Sequence, residues 1–292
     1  MSGVITIDDS RYPELLKKID DPPEKLYFKG NWRNLLFRNC LTVVGSRRMT
    51  TYGKTITNQL VTQIASYGIT IVSGFMYGID AQAHQAAVDI GGKTIAVMPC
   101  GVDIIHPSYQ KNLYEQILKN NGLIISELEN THPPAIWTYP KRNRIMAGLS
   151  SATLVVEAAE KSGSLITAEF AHLYKRKLFA VPGPLTSKIS IGTAKLIKQG
   201  AEIVTCAEDI LKFYRVKKSP QSETKTTSKE LEGLERKIIE ELERQSLEID
   251  ALSHILNLPV SLLGRTLSLM ELKGILFKER GKYHVNQSTF SS

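Results

Sequence analysis

Six short runs of apolar, mostly β-branched residues do most to decide what this 292-residue chain can fold into. They are LTVVGS (41–46), ITIVSG (69–74), TIAVMPC (94–100), LIISE (123–127), ATLVVEA (152–158) and LFAVPG (178–183), each running into a Gly, Pro, Ser or acidic residue. A strand with one wet face alternates apolar and polar side chains. These runs do not alternate, which fits strands buried on both faces. Between the first two, Ile56, Leu60, Val61 and Ile64 recur at helical spacing, and segments such as AQAHQAAVDIG and YQKNLYEQILKN separate the others. Strands alternating with helices imply βαβ units. The expected fold class is therefore α/β, a parallel sheet with helices on both faces, closed by a seventh short strand near AEIVT (201–205).

The flanks differ from this core, which spans 41–215. Residues 1–40, with RYPELL and DDPPEKLYFKG, punctuate like a lid or edge packed on the core, not like a separate domain. Residues 216–229, VKKSPQSETKTTSK, are polar without apolar periodicity and read as a linker. In the module at 230–287, Leu231, Leu234, Ile238, Ile239 and Leu242 form one helical stripe, and Ile249, Leu252, Ile255 and Leu256 a second. Pro259, tolerated in a first turn, opens a third helix carrying Leu263, Leu267 and Met270. ILFKERGKYHV then reads as a β-hairpin, completing a small C-terminal winged-helix domain.

The net charge is +8, which favours polyanionic partners. Of 37 Lys+Arg and 29 Asp+Glu, 12 and 11 fall in residues 216–292 (net +1), leaving 25 and 18 (net +7) in residues 1–215. The basic excess belongs to the α/β part. No run of about 18 apolar residues predicts a membrane span, and MSGVITIDDSRYPELL lacks the pattern of a secretory leader. Cys40, Cys100 and Cys206 form no C-x-x-C pair, so the expectation is a reducing, cytoplasmic compartment with no disulfide, metal or cofactor.

In an open parallel sheet, ligands bind beyond the carboxyl ends of the strands. The first run ends in Gly45-Ser46-Arg47-Arg48 and leads into a helix. A glycine turn, helix N–H groups and an arginine fork suit a phosphate, but an ordinary turn has the same residues. The loop is not G-x-G-x-x-G, so a dinucleotide gains little support. Asp80 is placed to cap the next helix, and His84 reads as a packed histidine. Neither His106 nor Cys100 has a partner that would make a nucleophile–base pair. Lys141, Arg142, Asn143 and Arg144 crowd a helix start, where the dipole disfavours cations, so an anion there would offset the repulsion. Ser162, Gly163, Ser164 and Thr167 offer hydroxyl and N–H donors at another helix start, either as an anion cradle or as simple N-capping.

The segments GSRRMTTYG, SGFMYGIDAQAH, YPKRNRIMAGLSSATLVVEA, KSGSLITAE, FAVPG and SIGTAKLIKQGAEIV resemble, in order and spacing, the DprA/Smf DNA-processing family from about Tyr12 to Leu211. The tail is similar to that family's winged helix. The resemblance implies an extended Rossmann-like fold that binds single-stranded DNA in a basic pocket without enzymatic activity. It further implies homodimerisation through the α/β domain and loading of the RecA recombinase, as in natural transformation. By motif, the DNA-binding residues would be Ser46, Arg47, Arg48, Lys111, Lys141, Arg142, Asn143, Arg144, Ser162, Gly163, Ser164 and Thr167. Two positions depart from the family pattern: Tyr77 replaces an arginine before G-I-D, and Ala194 replaces an asparagine.

Two other readings compete. A nucleotide phosphoribohydrolase of the lysine-decarboxylase-like (LOG) type would use the SGSLITAE loop, with Glu157 at the ribose, but its double glycine is missing here. A sequence-specific regulator would read bases with the third helix of the tail. That helix carries Arg265 and Lys273, and the wing carries Lys278, Arg280 and Lys282, a set better suited to phosphates than to base edges.

Overall fold

The six apolar runs become the inner strands of a nine-stranded sheet in the computed structural model, which describes residues 1–216, 233–272, 274–279 and 281–286. The strands are β1 (Ser2–Thr6), β2 (Lys25–Gly30), β3 (Cys40–Val44), β4 (Thr70–Ser73), β5 (Thr94–Val97), β6 (Leu123–Ser126), β7 (Ala152–Val155), β8 (Lys177–Ala180) and β9 (Glu202–Ile203). Their order across the sheet is β1-β2-β6-β5-β4-β3-β7-β8-β9. From β6 to β9 every pairing is parallel, while β2 runs antiparallel to β6 and β1 antiparallel to β2. Residues 1–40 thus extend one edge of the sheet, with Ile5, Tyr12, Leu16 and Leu26 buried in its core.

The helices are α1 (Glu14–Lys17), α2 (Thr51–Ser66), α3 (Ile79–Asp89), α4 (Lys111–Lys119), α5 (Thr138–Leu149), α6 (Gly163–Leu173), α7 (Ile191–Lys198) and α8 (Ala207–Tyr214). Successive strand residues point to opposite faces. Leu41, Val43, Ile71 and Leu154 pack with Leu60, Val61 and Ile64 of α2, Ala83 of α3 and Ile210 of α8. Val44, Val72 and Val155 pack on the other face with Ile145, Met146 and Leu149 of α5, Ala168 of α6 and Leu196 of α7. Each such fully buried aliphatic side chain contributes roughly 1.5–3 kcal/mol against exposure. The buried hydroxyl of Thr42 lies 2.7 Å from the Met146 carbonyl and 2.8 Å from Ser150 Oγ, tying β3 to α5. Among the described residues no helix is long and apolar enough to cross a membrane.

The chain divides into two compact units, residues 1–222 and 223–292. The second has α9 (Gly233–Arg244), α10 (Ile249–Leu256), α11 (Val260–Leu272) and a hairpin of β10 (Leu276–Glu279) with β11 (Lys282–Val285). Ile238, Ile239, Leu242, Leu252, Leu263, Leu267 and Met270 form its core with Tyr283. This is the expected winged-helix order. Ile255 departs from its expected stripe and is 47% exposed, because the core-facing side of α10 is centred on Ile249, Leu252 and Leu256. Residues 217–229 of the expected linker, Leu231, Lys273 and Arg280 lie outside the described residues.

Candidate functional site

The sheet reverses its winding between β3 and β7: successive strands go to one side through β4, β5 and β6, then to the other through β7, β8 and β9. The loops that leave β3 and β7 therefore diverge, and divergence at the carboxyl ends of strands opens a crevice. A cavity of about 760 Å³ lies there, bordered by Gly45, Ser46, Arg47 and Arg48 after β3, and Ala159, Ser162, Gly163 and Ser164 after β7. Helix α5 adds Tyr139, Arg142, Asn143 and Met146, and α6 adds Ile166 and Thr167.

Close backbone approach shapes this crevice. Gly78 has φ +82° and sits where a Cβ would fall 2.2 Å from the Ser46 carbonyl, so a side chain there would push the G-S-R loop away. A Cβ on Gly74 would fall 2.1 Å from Arg142 Nη1. The β4–α3 turn is thin so that the arginine can lie on it. Thr50 caps α2 by accepting from the Gly53 N–H, and its own N–H and Oγ1 donate to Glu157 at 3.0 and 2.5 Å. Glu157 thus joins the loops after β3 and β7.

Arg142 is 4% exposed and donates from Nη1 to the Val97 carbonyl at 2.5 Å. Its Nε has no partner in the protein. Burial lowers its pKa to about 10, against the opposing attraction of Asp80, so it remains a cation near neutrality. Asp80 also lines the cavity. Burial raises its pKa to about 6, while Arg142, Arg47 and backbone N–H groups of Met76 and Gly74 hold it back. Asp80 is therefore not the side-chain cap expected of it: Gly78 is the N-cap residue, and α3 has no side-chain cap bond. Its carboxylate is spent on the β4–α3 turn and the arginines instead. Arg47 is exposed, with its guanidinium 5.2 Å from the Tyr139 ring and 5.7 Å from the Tyr77 ring.

On the β7 side, Ser162 caps α6 by accepting from the Ser164 N–H, and the two hydroxyls lie 2.8 Å apart. N-capping is thus one role of this loop. Thr167 is 1% exposed, lines the cavity, and its Oγ1 has no protein partner. Asn143 Nδ2 donates to the Gly163 carbonyl at 3.3 Å, joining α5 to the start of α6.

Of the twelve residues expected at a DNA site, Ser46, Arg47, Arg48, Arg142, Asn143, Ser162, Gly163, Ser164 and Thr167 border this one cavity. Lys111, Lys141 and Arg144 do not. Arg144 is buried in an ion-pair cluster, with Nε 2.8 Å from Asp21 and Nη2 2.7 Å from Glu127. Lys141 lies 3.5 Å from the same Glu127. The expectation that Arg142 and Arg144 share one surface is thereby corrected: residues two apart on a helix point in nearly opposite directions. Helical spacing was the missed signal, since 139, 142, 143 and 146 form one stripe of α5. Lys111 starts α4 as an exposed residue away from the cavity. Ala194 borders a separate hollow of about 280 Å³ beside Gly183 and Lys198.

Three further titratable groups, His84, Cys40 and Cys100, are buried in structural surroundings. His84 is buried with Nδ1 2.7 Å from Thr94 Oγ1, and burial lowers its pKa to about 3. Burial raises the thiols of Cys40 and Cys100 to about 12 and about 11, so neither is a thiolate nucleophile near neutrality.

The family model for DNA recombination-mediator protein A matches residues 3–215, and that for the DprA winged helix domain matches residues 222–282. DNA processing protein DprA of Bacillus subtilis is 41% identical over 208 residues, 71% of this chain and 70% of that protein. Protein Smf of Escherichia coli is also 41% identical over 208 residues, 71% of this chain and 55% of that longer protein. Among solved structures, Streptococcus pneumoniae DNA processing protein A superposes with a TM-score of 0.69 at 39% identity, covering 72% of this chain and 74% of that one. Helicobacter pylori DNA processing protein A, described for its single-stranded DNA binding mode, gives 0.64 at 32% identity, covering 73% and 95%.

Proposed function

This chain belongs to the DNA recombination-mediator protein A (DprA) family, and on that premise we propose that its β3–β7 cavity grips the sugar–phosphate backbone of single-stranded DNA. The observation that carries the reading is the surplus of arginine charge, Arg47, Arg48 and Arg142, on one cavity whose lining also holds two unpartnered buried donors, Arg142 Nε and Thr167 Oγ1. Buried polar atoms without partners are costly, and a phosphate oxygen would satisfy both kinds of donor. Arg47 and Arg48 at the mouth and the N-terminus of α6 add positive potential. Such contacts fix position and affinity with little base preference.

In this reading the protein shields a single strand in a reducing, cytoplasmic compartment and passes it to RecA recombinase, as in natural transformation. It leaves the DNA covalently unchanged. Self-association through the α/β unit is supported by β9, the end of the sheet among the described residues, where Ile203 is 47% exposed. The phosphoribohydrolase reading finds no support at Glu157, whose two oxygens already accept from Thr50.

The test is a titration of wild type and Arg47→Ala onto a labelled single strand across a salt series. Loss of one phosphate contact should weaken binding for any base composition and lower the slope of log K against log salt by about 0.7. An unchanged affinity and slope in a folded Arg47→Ala protein would leave the G-S-R loop a plain turn.

A further inference from the structure

The segment that enters α5 presents two large apolar side chains to solvent at the edge of the cavity. Ile136 is 92% exposed and borders the cavity, and Trp137 beside it is 53% exposed. Their backbone is held firmly. The Thr138 hydroxyl accepts from the Ala135 N–H at 3.2 Å and lies 2.7 Å from the Ala135 carbonyl, and Thr138 itself is 2% exposed. A rigid turn that displays an indole to water is preorganised for a partner.

The other aromatic rings near the mouth are already engaged. Tyr77 and Tyr139 share the Arg47 guanidinium, Tyr139 is bonded to His106 at 2.8 Å, and the Tyr52 hydroxyl donates to the Pro182 carbonyl at 2.8 Å. Among the described residues Trp137 makes ring contacts with His132, centroids 6.0 Å apart and nearly perpendicular, and with Lys141 Nζ at 5.8 Å, and its ring stays half exposed. Resting on the single-strand reading above, we propose that Trp137, with Ile136, is a stacking platform for a nucleobase of the strand whose backbone occupies the cavity. The occupant follows from position: the same turn supplies the cavity wall, so a nucleotide gripped there must place a neighbouring base at its rim. A base stacks on an indole whatever its identity. The cavity beside it is lined by Arg47, Arg48 and Arg142, so the surface suits an anionic chain better than an apolar protein face.

The chain has two tryptophans, which makes the idea directly readable. Trp32 packs between Phe28 and Phe37 with ring centroids 5.0 Å away on each side. Oligothymidylate added to the full-length protein should quench emission in wild type and Trp32→Phe but not in Trp137→Phe. Trp137→Ala should lose about tenfold in affinity, Trp137→Phe less, since a tenfold loss lies within the range that removing one stacked aromatic produces. The salt slope should stay at the wild-type value in Trp137→Ala, because no cation is removed. An all-abasic oligomer should bind wild type and Trp137→Ala equally. Wild-type affinity in Trp137→Ala, or quenching that persists in Trp137→Phe, overturns the platform while leaving the phosphate grip to its own salt test. Loss of self-association in Trp137→Ala on sedimentation, with DNA affinity intact, assigns the indole to a protein contact and also overturns it. If wild type binds neither oligomer, the single-strand reading falls and the platform with it.

Discussion

Helix α5 turns one face to the cavity and another to the N-terminal flank, and each face buries an arginine. On the flank, Arg144 meets Asp21 and Glu127, and Lys141 shares Glu127, so two cations face two carboxylates. On the cavity side Arg142, Arg47 and Arg48 border a cavity whose lining holds one carboxylate, Asp80, which feels Arg142 and Arg47. Each buried arginine leaves one nitrogen without a partner, Nε of Arg142 and Nη1 of Arg144. The difference is therefore one of charge and not of hydrogen-bond counting. The flank is neutralised within the protein and reads as architecture. The cavity keeps positive charge beside open volume, which is the condition for holding an anion.

The largest effect should come from Arg142→Ala, which strands Asp80 as a buried carboxylate and leaves the Val97 carbonyl without its donor. An orphaned buried carbonyl costs about 1–3 kcal/mol and loss of the cation near a buried carboxylate a similar amount, so the total should reach about 3–5 kcal/mol. Chemical denaturation should show a loss of that size, with single-strand affinity falling in whatever protein remains folded. Arg142→Ala combined with Asp80→Asn should recover part of the stability, because the unpaired charge is gone, but none of the affinity. A loss below about 1 kcal/mol with intact DNA binding would erase the distinction between the two faces.

Next in size is Arg144→Ala. Glu127, with its side chain 11% exposed, would keep only the more distant Lys141, at an expected cost of about 1–3 kcal/mol. The slope of log K against log salt should not move. A fall of about 0.7 would mean that the flank touches phosphate after all.

The pair also shows what was legible in the sequence. The inner strands were readable because both faces are covered, giving unbroken apolar runs such as LTVV and TIAV. β1 and β2 were not, since β1 is the sheet edge, both strands are only partly buried, and Pro22-Pro23 between them reads as punctuation. The arginines at 142 and 144 looked like one basic patch because composition ignores helical phase. Asp80 looked like a cap because its partner Arg142 lies on another element 62 positions later, and no local pattern encodes that contact. The apolar contributions of Met76, Met146 and Ile166 to the cavity were likewise invisible, since each comes from a different element.

The smallest effect is a pH dependence confined to the cavity side. The folded pKa of Asp80 is raised to about 6. In the window between the ordinary aspartate range and about 6, the native state binds this proton while the unfolded chain does not, so Asp80 adds stability as pH falls and withdraws it as pH rises. His84 acts in the opposite sense. Its folded pKa is depressed to about 3, so below the ordinary histidine range the unfolded chain takes up a proton that the native state refuses, and stability is lost as pH falls. Between about pH 4 and 6 the two nearly cancel in the wild type. Asp80→Asn removes one side of the balance and should make the protein more acid-labile, by up to about 1.4 kcal/mol per pH unit relative to wild type. Urea midpoints at several pH values in that window measure the difference directly. His84→Gln should tilt the curve the other way, with stability rising as pH falls. Parallel curves for wild type and Asp80→Asn would mean that Asp80 stays ionised throughout. The cavity-side arginine would then be as securely neutralised as its counterpart on the flank, and an anionic ligand would have to compete with that carboxylate.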